Sequence, residues 1–155
     1  MAPKNASHLP LVLDGTSANI LRAEAYLHLD RAADALVLAG EALDQIRRSS
    51  VRDYYQILEA DAALRLGQAQ QRAGDPKSAR LNLERAVKLR EANDDAKSPW
   101  LAEAEVALAD CLIDLGERKE AHALIDQAKA IHTAQAELGE HFKVPLRRVA
   151  ARLAA

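Results

Sequence analysis

The sequence predicts an all-α fold: a row of antiparallel helical hairpins closed by a terminal helix. Three observations lead there. The composition favours helix and gives sheets little, because 33 alanines and 23 leucines stand against 6 glycines and 5 prolines, and aromatics make up only 3% of 155 residues. Apolar residues recur at three- and four-residue steps in segment after segment. The pattern also repeats at an offset of 42, which lays Leu66 on Leu108, Gly74 on Gly116, Ala79 on Ala121, Leu83 on Ile125, Ala86 on Ala128 and Leu89 on Ile131.

Taken in order, residues 1–16 hold Pro3, Pro10 and an Asp14-Gly15 turn signal without helical period, so an extended leader is expected there. The first hairpin covers about 17–48, with Thr16 or Ser17 as its cap and Arg47-Arg48 suiting the negative end of its second helix. The second covers about 50–92. Ser50 and Asp53 give it a capping-box-like start, Gly74 stops its first helix, and Pro76 opens the next. The third runs over about 98–138, where Ser98-Pro99 supplies a cap and a first-turn proline and Gly116 repeats the glycine stop. Its first helix carries Trp100, Leu101, Ala104, Ala107, Leu108, Cys111, Leu112 and Leu115 on one expected apolar face.

A terminal helix of about 142–153 places Phe142, Leu146, Val149, Ala150 and Leu153 on one side and Lys143, Arg147, Arg148 and Arg152 on the other. It is expected to cover the last hydrophobic face of the array. The first hairpin aligns with the second at an offset of 44, with Asp30 in place of the turn glycine. On its first helix, Ile20, Ala23 and Leu27 form one apolar stripe and Ala18, Leu21, Ala25, Tyr26 and Leu29 another. The second stripe needs a cover. The segment Leu9 to Leu13 folding back is one expectation, and a two-fold homodimer through the first repeat is the other.

Leu66-Gly67, followed by Ala79, Leu83 and Ala86, and Leu108-Ala109, followed by Ala121, Ile125 and Ala128, resemble the tetratricopeptide repeat (TPR) family; Tyr26 fits its tyrosine position. The 42-residue spacing and Leu138-Gly139-Glu140-His141 resemble the kinesin-light-chain type. Over residues 17–153 the resemblance implies a single TPR-like domain, a right-handed α-solenoid whose first helices line a concave groove.

The chemistry expected from these residues is recognition. A net charge of -2 excludes a general nucleic-acid binder, and no apolar run approaches the ~20 residues of a membrane span. The single cysteine, Cys111, excludes an internal disulfide and suits a cytoplasmic setting; on an apolar stripe it reads as core. The five histidines are scattered, no phosphate-binding glycine loop is present, and neither catalysis, cofactor nor metal is expected.

Carried over from the family, the partner-binding positions are Ile20, Leu64 and Val106, then Glu24, Gln68 and Asp110, then Leu27, Gln71 and Ile113, with Glu103 and Asp114 adding negative charge. The resemblance implies a non-catalytic scaffold that binds a peptide or helical segment of a protein partner, with basic flanks favoured by the acids. The family's carboxylate clamp, which needs Asn and Lys at these positions, is absent: Asn19, Asn82 and Asn93 fall elsewhere. The alternative is a sensory or regulatory module of a larger transcription regulator or signalling kinase.

Overall fold

The computed structural model describes residues 9–135 and 137–155, and within them it contains helices and no strand. The helices are α1 (Leu9–His28), α2 (Ala32–Arg48), α3 (Gln56–Arg72), α4 (Pro76–Asn93), α5 (Pro99–Asp114), α6 (Arg118–Ala134) and α7 (Glu140–Ala154), with a 3₁₀ turn at Arg52–Tyr55 before α3. Each packs against the next in sequence. The first helices of the hairpins also touch one another, α1 on α3, α3 on α5 and α5 on α7, whereas α2 and α4, and α4 and α6, do not meet. An array joined along one side and open along the other curves toward the joined side, so the first helices form its inner face.

Local chemistry explains the hairpins. Asp30, Gly74 and Gly116 all take positive φ, at 57°, 87° and 81°. At each, the next residue's N–H donates to a carbonyl five residues back: Arg31 to Tyr26 at 2.8 Å, Asp75 to Gln70 at 2.9 Å, and Glu117 to Leu112 at 2.8 Å. The same αL stop therefore closes three hairpins, and in the first it is made by aspartate, which tolerates this conformation better than most side chains. Asp75 then caps α4 by accepting from Ser78 N at 3.1 Å, and Ser98 caps α5 by accepting from Leu101 N at 3.4 Å, each followed by a first-turn proline.

The core is alanine-rich where helices approach closely. Ala79, Ala86, Ala121 and Ala128 are fully buried, with Leu83, Leu112 and Ile125 filling the space between hairpins. Leu146, Val149 and Leu153 of α7 continue that core onto α5 and α6.

Five sequence expectations are corrected. Residues 9–16, expected as extended leader, are helical, because Pro10 occupies the second position of α1, where no amide donor is needed; residues 1–8 lie outside the described residues. Thr16 is not a cap: it is buried and its hydroxyl donates to Gln45 Oε1 at 2.9 Å, tying α1 to α2. Leu9 to Leu13, being the first turns of α1, does not fold back over that helix. The capping box at Ser50 and Asp53 gives way to the 3₁₀ turn, where Arg52 makes two bonds to Glu59, at 2.8 and 2.9 Å. Trp100, finally, points outward from α5 and is 53% exposed.

Candidate functional site

The inner faces of α1, α3 and α5 and one side of α7 enclose a groove of about 330 Å³. Glu24 and Leu27 enter it from α1, Gln68 and Gln71 from α3, and Glu103, Val106, Asp110 and Asp114 from α5. Three expected members lie elsewhere. Ile20 and Leu64 are core residues, 4% and 2% exposed, and Ile113 packs against that core half-buried. The apolar line is therefore mainly packing, with Val106 and Leu27 as its contributions to the groove wall.

Arginines not foreseen as site residues organise the polar part. Arg65, nine-tenths buried, is held between Glu24 at 3.2 Å and Glu103 at 2.8 Å and also donates to Gln68 Oε1 at 3.1 Å. Its Nε has no hydrogen-bond partner. At the other end, Asp110 accepts from Arg148 at 3.0 Å and from Arg152, and Asp114 accepts from Arg152 at 2.7 Å and from Gln71 Nε2 at 2.7 Å. Arg72 donates to the Leu27 carbonyl across the α1–α3 junction.

The groove thus holds four carboxylates, each bound by at least one of three arginines, Arg65, Arg148 and Arg152, rather than an unopposed acidic field. Of the basic side of α7, Arg148 and Arg152 reach Asp110 and Asp114 of α5, whereas Arg147 pairs with Glu140 on its own helix. A sequence signal for this exists: Asp110 and Asp114 are spaced by four on one helix, and Arg148 and Arg152 by four on another, so one pair can lie along the other. Arg65 offered no such signal, since its partners are on two different helices.

Cys111 is poorly placed to act as a nucleophile. Cys111 is fully buried, its Sγ donates to the Pro76 carbonyl at 3.2 Å, and burial together with Asp114 and Asp110 pushes the thiol up to about 11. Among the described residues no group of three His, Cys, Asp or Glu converges as a metal site.

A second concavity, open and about 640 Å³, lies where α3 and α5 begin. Ile57, Asp61, Arg90, Asp94 and Trp100 line it. Arg90, 7% exposed, bonds to Asp61 and reaches Asp94 at 3.3 Å, and Asp94 also accepts from the Ser98 hydroxyl at 2.7 Å. Burial raises the Asp61 carboxyl above the usual carboxylate range, with Arg90 opposing that rise.

Residues 58–134, which span α3 to α6 but for two residues at the start of α3, match the family model described as Tetratricopeptide repeat. No match to a curated protein was found.

Proposed function

With the two hairpins of residues 58–134 taken as tetratricopeptide repeats, a repeat that in general mediates protein–protein interaction, we propose that this chain is a non-catalytic scaffold holding a peptide or short helical segment of a partner protein in its concave groove. The observation that carries the reading is the convergence of Glu24, Gln68, Gln71, Glu103, Asp110 and Asp114, from three consecutive first helices, on one concavity. The unpartnered Arg65 Nε at its wall supports it further, since a buried donor without a partner is costly. We read the array as a right-handed superhelix of the kinesin-light-chain type, on its hairpin spacing, and as cytoplasmic, on its lone buried thiol.

Because the groove acids are matched by arginines, a partner with basic flanks gains from them only by exchanging its own cations for Arg148 and Arg152. The test is capture of partners from the native host with the full chain, compared with Gln68→Ala/Gln71→Ala. Loss of a specific partner at unchanged helical content is the expected result; full retention places binding on the convex face or an array end and ends this reading.

A specific observation also favours the regulatory-module reading. Ala18 and Ala25 of α1 are exposed, as are Leu21 and Leu29, at 65% and 66%. The corresponding small residues in later repeats, Ala62 and Ala69 on α3 and Ala104 and Cys111 on α5, are buried. An α1 face built like an internal one suits a chain that stacks on another module or on a second copy through its first repeat. Light scattering across a concentration series tests the homodimer: a monomer throughout excludes it.

A further inference from the structure

Trp100 is the only tryptophan in the chain, and it stands half out of the surface at the mouth of the open concavity between α3 and α5. Its ring is held edge-on against Phe142 of α7, centroids 6.2 Å apart at 88°, so its orientation is set rather than free. Ile57, 39% exposed, lies on the same concavity. Ile57, Trp100 and Phe142 come from the first turns of α3, α5 and α7, 43 and 42 residues apart. Asp61 stands one turn before the groove residue Arg65 on α3, and Trp100 one turn before Glu103 on α5, so the two concavities adjoin.

The charges here differ in kind from those of the groove. In the groove every carboxylate is already bound by an arginine. The concavity has three carboxylates, Asp61, Asp94 and Asp95, against two cations, Arg90 and Lys97. Arg90 is buried and spent on Asp61 and Asp94. Asp61 binds Arg90 through Oδ1, and Asp95 accepts the Lys97 amide through Oδ1 at 2.8 Å, so each keeps an acceptor oxygen for something else. An exposed indole face, an aliphatic neighbour and spare carboxylate oxygens are what a planar guanidinium on a mostly apolar segment uses: stacking on the ring and donation to the acids.

We propose that this concavity is the anchor point for an arginine side chain, flanked by an aliphatic residue, on the protein segment that the groove receives. The proposal rests on the scaffold reading and names the partner chemistry within it. Ile57 takes the aliphatic neighbour, Trp100 stacks on the guanidinium, and Asp61 and Asp95 accept its N–H groups.

Trp100 makes the test direct, because its emission reports this position alone. The probes are an end-blocked leucyl-arginyl-leucine tripeptide and the same peptide with citrulline, which keeps the shape and loses the charge. The expected result is saturable quenching by the arginine peptide and binding weaker by about tenfold for citrulline. Asp61→Asn/Asp95→Asn should abolish that preference, and calorimetry should show Trp100→Ala binding neither peptide, both variants keeping wild-type helical content. Equal affinity for the two peptides, or no saturable response at millimolar arginine peptide, overturns the proposal. If calorimetry shows arginine-peptide binding that survives Trp100→Ala but is lost in Gln68→Ala/Gln71→Ala, the anchor is wrong and the groove reading stands. A saturable, charge-dependent Trp100 response in a protein whose native partner ignores both groove substitutions supports the anchor and overturns the groove reading instead.

Discussion

Gly67 sits in the middle of α3, buried, where α4 crosses it. A Cβ placed there would lie 2.6 Å from Leu83 Cγ, 2.8 Å from Leu83 Cδ2 and 3.1 Å from the Ala79 carbonyl oxygen. Carbon contacts normally relax to about 3.5–4.0 Å, so the overlap with Leu83 is roughly 1 Å. Leu83 is fully buried, and the clash falls on its branch point rather than on a free end. Overpacking of this kind costs about 1–3 kcal/mol, against about 1 kcal/mol gained by replacing glycine with alanine inside a helix. With the clash on the branch point of a fully buried side chain, the cost falls in the upper part of that range, about 2–3 kcal/mol, and Gly67→Ala should destabilise by about 1–2 kcal/mol.

The control is Gly40→Ala in α2, where an added Cβ meets nothing within 4 Å. That variant should gain about 0.8–1 kcal/mol. For a domain of this size the two melting temperatures should then differ by roughly 5–10 °C, on opposite sides of wild type. Thermal denaturation followed by circular dichroism reads both. The double variant Gly67→Ala/Leu83→Val should lose less than the sum of its parts, because the smaller side chain yields the space. A Gly67→Ala protein that melts at or above wild type would refute the close approach of α3 and α4 on which the packing account depends.

Glu105 provides a pH test: burial, and to a lesser degree Glu91, pushes its carboxyl up to about 7, and its Oε2 lacks a partner. A folded pKa raised above the ordinary 4.5 means that the group's stability contribution is fully present below pH 4.5 and lost as pH rises through about 7. Glu105→Gln should thus be more stable than wild type at pH 8, by on the order of 3 kcal/mol, and nearly equal at pH 4.5; a gap in urea midpoint that ignores pH would contradict this. Asp110→Asn should loosen α7 by about 1 kcal/mol, since Arg148 and Arg152 are both partly exposed and screened, and hydrogen exchange should quicken in residues 140–154 before the rest. Unchanged protection there would make the ion pairs incidental. Gly74→Ala should cost about 1–2 kcal/mol because φ is 87°, while Asp30→Gly should stabilise; a neutral Gly74→Ala would remove the αL stop from the account of the hairpin.

Much of the array was legible from residues within a few positions of each other. Gly74 and Gly116 announced helix ends, Pro76 and Ser98-Pro99 announced starts, and Ala79, Ala86, Ala121 and Ala128 marked where helices nearly touch. Each depends on a local term: a φ that only some residues accept, a missing amide, a small side chain on one face. The same locality misled at α1. Pro10 and Asp14-Gly15 carry breaker signals, yet the helix runs through them, secured on α2 by Thr16 and Gln45, 29 residues apart. Trp100 was misplaced because α5 is apolar around most of its circumference, so periodicity alone does not choose which turn of the wheel faces out.

The candidate groove divides along the same boundary. Which residues of α1, α3 and α5 share a helical face follows from 3.6-residue periodicity, and eight of the eleven expected positions do line the groove. What those residues are paired with does not follow from it. Arg65 reaches Glu103 across 38 residues, Arg148 reaches Asp110 across 38, and Arg152 reaches it across 42. Such pairings depend on the rotation of each helix about its own axis and on its crossing of the next, and both are set by how Leu83, Ile125, Val149 and their neighbours fill the core. Charge balance in the groove and the outward tryptophan are therefore properties of the packed array, because a carboxylate or an indole has no preferred partner until a second helix is laid against it.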